Sequence, residues 1–178
     1  MQNKASSQRG VTLIEAAVVM AIGAVAFSTA APGFQTFLAK KRLDGVATQL
    51  ATDLQFVRTE AVSRNEAVRI SFHTDPGGSC YVIHTGLKAQ CTCSRPAAAT
   101  CIGDAQQVKT VYVPVAQQVS VQANVGSILF DPMHGTSTPT GAVKVLGAQG
   151  TAVHHVVNIM GRVRSCSPDG LVTGYRNC

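Results

Sequence analysis

The sequence predicts an α+β protein in which one long N-terminal helix packs on an antiparallel β-sheet domain. Three observations predict it. Between Val11 and Ala39 the only charged residue is Glu15. From Leu43 to Ala61 apolar residues recur at helical period. Beyond residue 66 short alternating segments follow one another between turn residues, and all six cysteines lie there.

Met1–Arg9 is polar and basic. The apolar run from Val11 is long enough to cross a bilayer, which takes about 20 residues. A carboxylate at the centre of such a helix costs roughly 3 kcal/mol, and less towards the interface. Glu15 therefore calls for a partner. An ordinary signal-anchor helix with an incidental Glu is the plain alternative. A cleaved secretory signal fits worse, because no small-residue cleavage site ends the run. Pro32-Gly33 should bend or loosen the helix, since Pro removes a backbone donor. Leu43, Val46, Leu50, Leu54, Val57 and Ala61 then form one stripe that should pack on a sheet. Arg42, Asp44, Gln49, Asp53 and, in part, Arg58 fall on the other face. A helix over 11–65 would be about 80 Å long.

Strands are expected at 68–73, 80–84, 108–113, 119–122, 127–130, 142–146, 153–159 and 162–165. Asp75-Pro-Gly-Gly78 is a turn signal that makes the first two a hairpin. Residues 87–107 read as a loop, and 131–139 as a long turn. With 178 residues the chain suits one domain plus the helix. Its formal charge of +6 permits anionic partners without requiring them.

Gly10-Val-Thr-Leu-Ile-Glu15, behind a short basic leader, resembles the processing and assembly motif of type IV pilins and pseudopilins. The resemblance implies cleavage by a prepilin peptidase between Gly10 and Val11, N-methylation of Val11, and an assembly role for Glu15. Val11 stands where the family usually has Phe. Pro32 sits where many pilins carry a proline. Residues 1–10 would be the leader, 11–65 the helix with 11–38 in membrane or filament core, and 39–178 a periplasmic head, together a lollipop. The Glu15 carboxylate would meet the α-amino group of Val11 in a neighbouring subunit, pairing two groups that are costly alone in a low dielectric. Loss of Lys4 and Arg9 with the leader takes the side-chain balance from +6 to +4. The implied location is the inner membrane as a single-pass protein, then the pilus at the cell surface among major and minor pilins.

In an exported head disulfides persist. Six cysteines allow 15 pairings. Cys166–Cys178 is favoured because it ties down the tail, with Cys80, Cys91, Cys93 and Cys101 paired among themselves. A zinc site on those four is the rival, although Cys-x-Cys is not the usual knuckle spacing.

Leu50-Ala-Thr-Asp-Leu-Gln-Phe-Val-Arg-Thr-Glu-Ala-Val-Ser-Arg-Asn65 resembles the FimT/GspH branch, agreeing at Arg58, Glu60, Ala61, Arg64 and Asn65 and differing at Val57. Gly161-Arg-Val-Arg164 resembles the C-terminal Gly-Arg-x-Arg segment of FimT-type minor pilins. That segment is linked to DNA binding in natural transformation, so the resemblance implies double-stranded DNA as a partner. On a strand Arg162 and Arg164 would share a face about 6.8 Å apart, with Val163 inward. Each guanidinium suits forked bonds to phosphate. Arg176 would join them if Cys166–Cys178 closes, and Lys144 is a further candidate. Two to four phosphate contacts imply weak, non-specific binding, around 10⁻⁴–10⁻⁶ M. The plain alternative is solvated arginines, one of them paired with Asp169. The rival functions are a GspH-like minor pseudopilin of type II secretion and a minor pilin with a purely structural role in pilus initiation.

Arg58, Glu60 and Arg64 should make local helix pairs. The adjacent His154 and His155 would face opposite ways on a strand, and His73, His84 and His134 have no companion at ligand spacing. No Gly-x-Ser-x-Gly or Cys–His arrangement suggests catalysis. No enzyme activity, metal or cofactor is expected.

Overall fold

The computed structural model describes residues 12–94 and 98–178, with the backbone alone for 29–32. The expectations for Gly10 and Val11 fall outside these residues, and the Pro32 side chain is not described. The chain divides into two units between Leu38 and Ala39.

One helix, α1 (Leu13–Arg64), enters both units. Its first turn carries Glu15, favourably placed at the positive end of the helix dipole. In the first unit its large side chains are bare: Leu13 is 89% exposed and Phe27 78%. No single helix among the described residues is long and apolar enough to cross a membrane. Leu13–Ser28 and Gly33–Arg64 together meet the length and composition of a broken span. Asn65 ends α1 in the left-handed conformation (φ 52°), and Glu66 N–H returns to the Ala61 carbonyl at 3.2 Å.

In the second unit β1 (Val68–Asp75) and β2 (Gly78–Thr85) form a hairpin, turned by Gly77 N–H donating to Asp75 Oδ1. β3 (Cys91–Ser94) and β4 (Ala98–Cys101) pair with each other, and β5 (Gln107–Pro114) returns to β2. There follow β6 (Ser120–Ala123), β7 (Ser127–Phe130), β8 (Ser137–Thr138), β9 (Gly141–Leu146), β10 (Ala152–Val157), β11 (Val163–Ser167) and β12 (Arg176–Asn177). The first sheet has the order β5-β2-β1-β7-β8 and the second β12-β11-β10-β9-β6. All pairings are antiparallel except β11–β12, which is parallel.

One core joins α1 to both sheets. Leu43, Ala47, Leu50, Leu54, Val57 and Ala61 are buried against Ile70, Tyr81, Ile83, Ile128 and Phe130 of the first sheet and Val143, Val145, Val153 and Val157 of the second. Burying each such Leu contributes about 2 kcal/mol. A second cluster lies on the other face of the first sheet, where Cys80 and Val82 meet Cys91 and Cys93. Disulfides Cys80–Cys93 and Cys91–Cys101 fasten the β3–β4 unit there, and Cys166–Cys178 ties the tail. These pairings leave no thiolate for the rival zinc site.

Four expectations are corrected. The 87–107 loop contains β3 and β4. Ala47 replaces Val46 at the centre of the buried stripe, and Val46 is only partly covered. Asp53 is buried rather than solvated: Tyr81 Oη donates to its Oδ2 at 2.7 Å and Lys109 Nζ to its Oδ1 at 2.6 Å. Burial, together with that carboxylate, pushes the Tyr81 hydroxyl strongly up. Arg162 stands before β11 rather than on it, because Asn158–Gly161 makes a tight turn with Gly161 at φ 68°.

Candidate nucleic-acid interface

Register decides which side chains share a face. Residues directly opposed in a ladder lie on the same side, and successive residues alternate. His154 on β10 lies opposite Cys166 on β11 and Lys144 on β9, and Arg176 on β12 lies opposite Cys166. Arg176, Cys166, His154 and Lys144 thus cross the outer face of the second sheet in one row. Arg164, Val156 and Ala142 form the next row. The alternate residues Val143, Val145, Val153, His155 and Val157 face the core. At about 4.8 Å per strand, Lys144 lies about 10 Å from β11.

Arg164 and Arg176 line one shallow depression with Ser165 and Asn177, roofed on one side by the Cys166–Cys178 disulfide. Arg164, Arg176 and Lys144 are exposed. Among the described residues the ion pairs are Arg64–Glu60, Lys109–Asp53 and His134–Asp131, so none of these three cations, nor Arg162, is neutralised by a carboxylate. Burial lowers the His154 pKa, Lys144 adds to that, and Asp169 partly opposes them. Beneath the face His155 bonds Ser165 Oγ through Nδ1 at 2.8 Å, and burial pushes its pKa down to about 4.

Arg162 is placed elsewhere. It lines a recess with Gln55, Arg58 and Thr59 of α1. Its backbone N–H is held by Asn158 Oδ1 at 2.9 Å. Arg58 makes no helix pair; its Nε donates to the Gly135 carbonyl at 3.1 Å, while Arg64 does pair with Glu60. A Cβ at Gly161 would stand 2.2 Å from the Gly135 carbonyl oxygen and 3.2 Å from Arg58 Cδ. Arg58 therefore needs a bare Gly161 beside it. Nothing in a single sequence links those two positions, which are joined only through the fold.

His73, His84 and His134 are also dispersed. His84 accepts from Ser71 Oγ through Nε2 and donates from Nδ1 to the Thr85 carbonyl, and burial lowers its pKa. Asp131 accepts from the backbone N–H groups of Met133 and His134, which makes the expected turn.

The family model for type II transport protein GspH matches residues 46–161, and that for the prokaryotic N-terminal methylation motif matches residues 5–31. Motif, helix and sheet domain together define the class of minor pilins and pseudopilins. Within it, the chain belongs to the GspH family. The GspH match ends at Gly161, so Arg162, Arg164 and Arg176 lie beyond it. The type IV minor pilin FimU of Pseudomonas aeruginosa, solved in two crystal forms, has a similar fold. Its TM-scores are 0.50 and 0.51 at 19% and 20% identity, over 68% and 72% of this chain and 90% of that one. The minor pseudopilin EpsH of the Vibrio cholerae type 2 secretion system gives 0.49 at 8% identity, over 71% of this chain and 98% of its own. No curated protein sequence matches.

Proposed function

We propose that this chain is a minor pilin of a type IV pilus that binds double-stranded DNA without sequence preference, for uptake in natural transformation. The observation that carries the reading is the outer face of the second sheet, where Arg164, Arg176 and Lys144 stand exposed and unneutralised among the described residues. Phosphates are the anions such a face suits. Before assembly the apolar helix sits in the inner membrane with residues 39–178 in the periplasm. Prepilin peptidase cuts after Gly10 and methylates Val11, and Glu15 pairs with a neighbouring subunit. Several weak copies in one filament would add avidity.

The test is fluorescence anisotropy of labelled duplex with the full chain in nonionic detergent, across a salt series. Each phosphate contact should add about −0.9 to the slope of log K against log salt. Wild type should bind weakly and lose affinity with salt; Arg164→Ala/Arg176→Ala should bind at least tenfold more weakly. Absence of binding at low salt by a folded wild type would overturn the reading.

The second reading is a minor pseudopilin of a type II secretion filament, which the description of the matched family favours. It predicts loss of protein export on deletion, with the arginine substitutions silent.

A further inference from the structure

The recess beside Gly161 carries charge that the basic sheet face does not explain. Arg58, half-buried on α1, and Arg162, exposed on the turn before β11, line it together with Gln55 and Thr59. A guanidinium has five N–H donors. Arg58 spends its Nε–H on Gly135, and among the described residues no carboxylate pairs with either arginine. Arg58 is also fixed in place, pressed between Gly135 and Gly161. Two cations share one concave site with the Gln55 amide and Val163, while the Thr59 hydroxyl there donates to the Gln55 carbonyl at 3.1 Å. Like charges held together without a counterion favour an anion, and forked donors suit tetrahedral oxyanions.

We propose that this recess is an oxyanion site that takes one backbone phosphate of the bound duplex, with Arg58 and Arg162 as its charged walls and Gln55 as a neutral donor. The proposal rests on the DNA-binding reading and adds α1 to the interface. A phosphate is favoured because Arg162 is two residues along the chain from Arg164, which belongs to the proposed DNA-binding face.

The experiment follows the arginine Nε–Hε resonances of the full chain in nonionic detergent, with inorganic phosphate, acetate and then duplex DNA as probes. Phosphate and duplex should each shift Arg58 and Arg162 together. Arg162→Ala, at an exposed residue whose side chain makes no bond among the described residues, should abolish the Arg58 shift and lower the salt slope of duplex binding by about 1. Gln55→Ala, at an exposed position of α1, should weaken the phosphate response while leaving the fold intact. If duplex binds by anisotropy but Arg58 does not move, the recess proposal falls and the DNA reading stands. If duplex does not bind at all, the DNA reading falls and takes the phosphate assignment with it. Acetate moving both arginines while duplex moves neither would overturn the phosphate assignment in favour of a carboxylate from a protein neighbour.

Discussion

Single residues decide more here than their types suggest. Gly161 is required twice, by φ 68° and by the Gly135 oxygen 2.2 Å from where a Cβ would stand. Gly161→Ala should therefore cost about 3 kcal/mol, measured by urea denaturation. His155 sets a pH dependence. Its folded pKa of about 4 lies below the ordinary 6.5, so the folded state holds it neutral. Its stabilisation is complete above pH 6.5 and is lost as pH falls towards 4, by up to about 3 kcal/mol. Denaturation at a series of pH values should show that fall, and His155→Gln should flatten it. Asp53 shows where residue-level reading stops. On a helical wheel it reads as solvated, because the partners that bury it, Tyr81 and Lys109, come from strands 28 and 56 residues away. Arg58 is the same case, with its acceptor 77 residues distant.

Elements were legible in proportion to how local their causes are. The helical stripe and the Asp75–Gly78 turn depend on neighbours in sequence, and α1 and the β1–β2 hairpin follow them closely. β3 and β4 are hard to read because each has only four residues, and the alternation in β3 is carried by cysteines packed on the outer face of β2 rather than by large apolar side chains. β12 is two residues long and exists through its parallel pairing and the adjacent Cys166–Cys178 bond. Cys166→Ser/Cys178→Ser should cost about 2–3 kcal/mol, as expected for a short closed loop. It should also free Arg176 and weaken duplex binding severalfold in the anisotropy assay, while Arg164 stays on β11. An unchanged affinity would remove Arg176 from the interface.

At the scale of the whole molecule, the fold class was legible because it rests on two long patterns, apolar periodicity and strand alternation. The make-up of the candidate face was not. Lys144 joins Arg164 and Arg176 only through the register of β9, β10 and β11, which no local pattern specifies. Arg162 was assigned to the same strand face and belongs to the recess on α1 instead, since a turn interrupts the alternation. The DNA reading thus has two separable parts, a sheet face and a helix-side recess. Substitutions in both should add in free energy if they contact different phosphates.

The β3–β4 unit lies across the outer side of the first sheet, so that β2 is buried along its whole length. Every position of β2 is thereby under packing constraint, outward-pointing Cys80, Val82 and His84 included. Among the described residues the second sheet has no such cover, and Val156 and Arg164 are exposed and His154 half-buried on its outer face. A two-strand patch held by sulfur thus leaves the outer faces of the two sheets under unequal packing constraint.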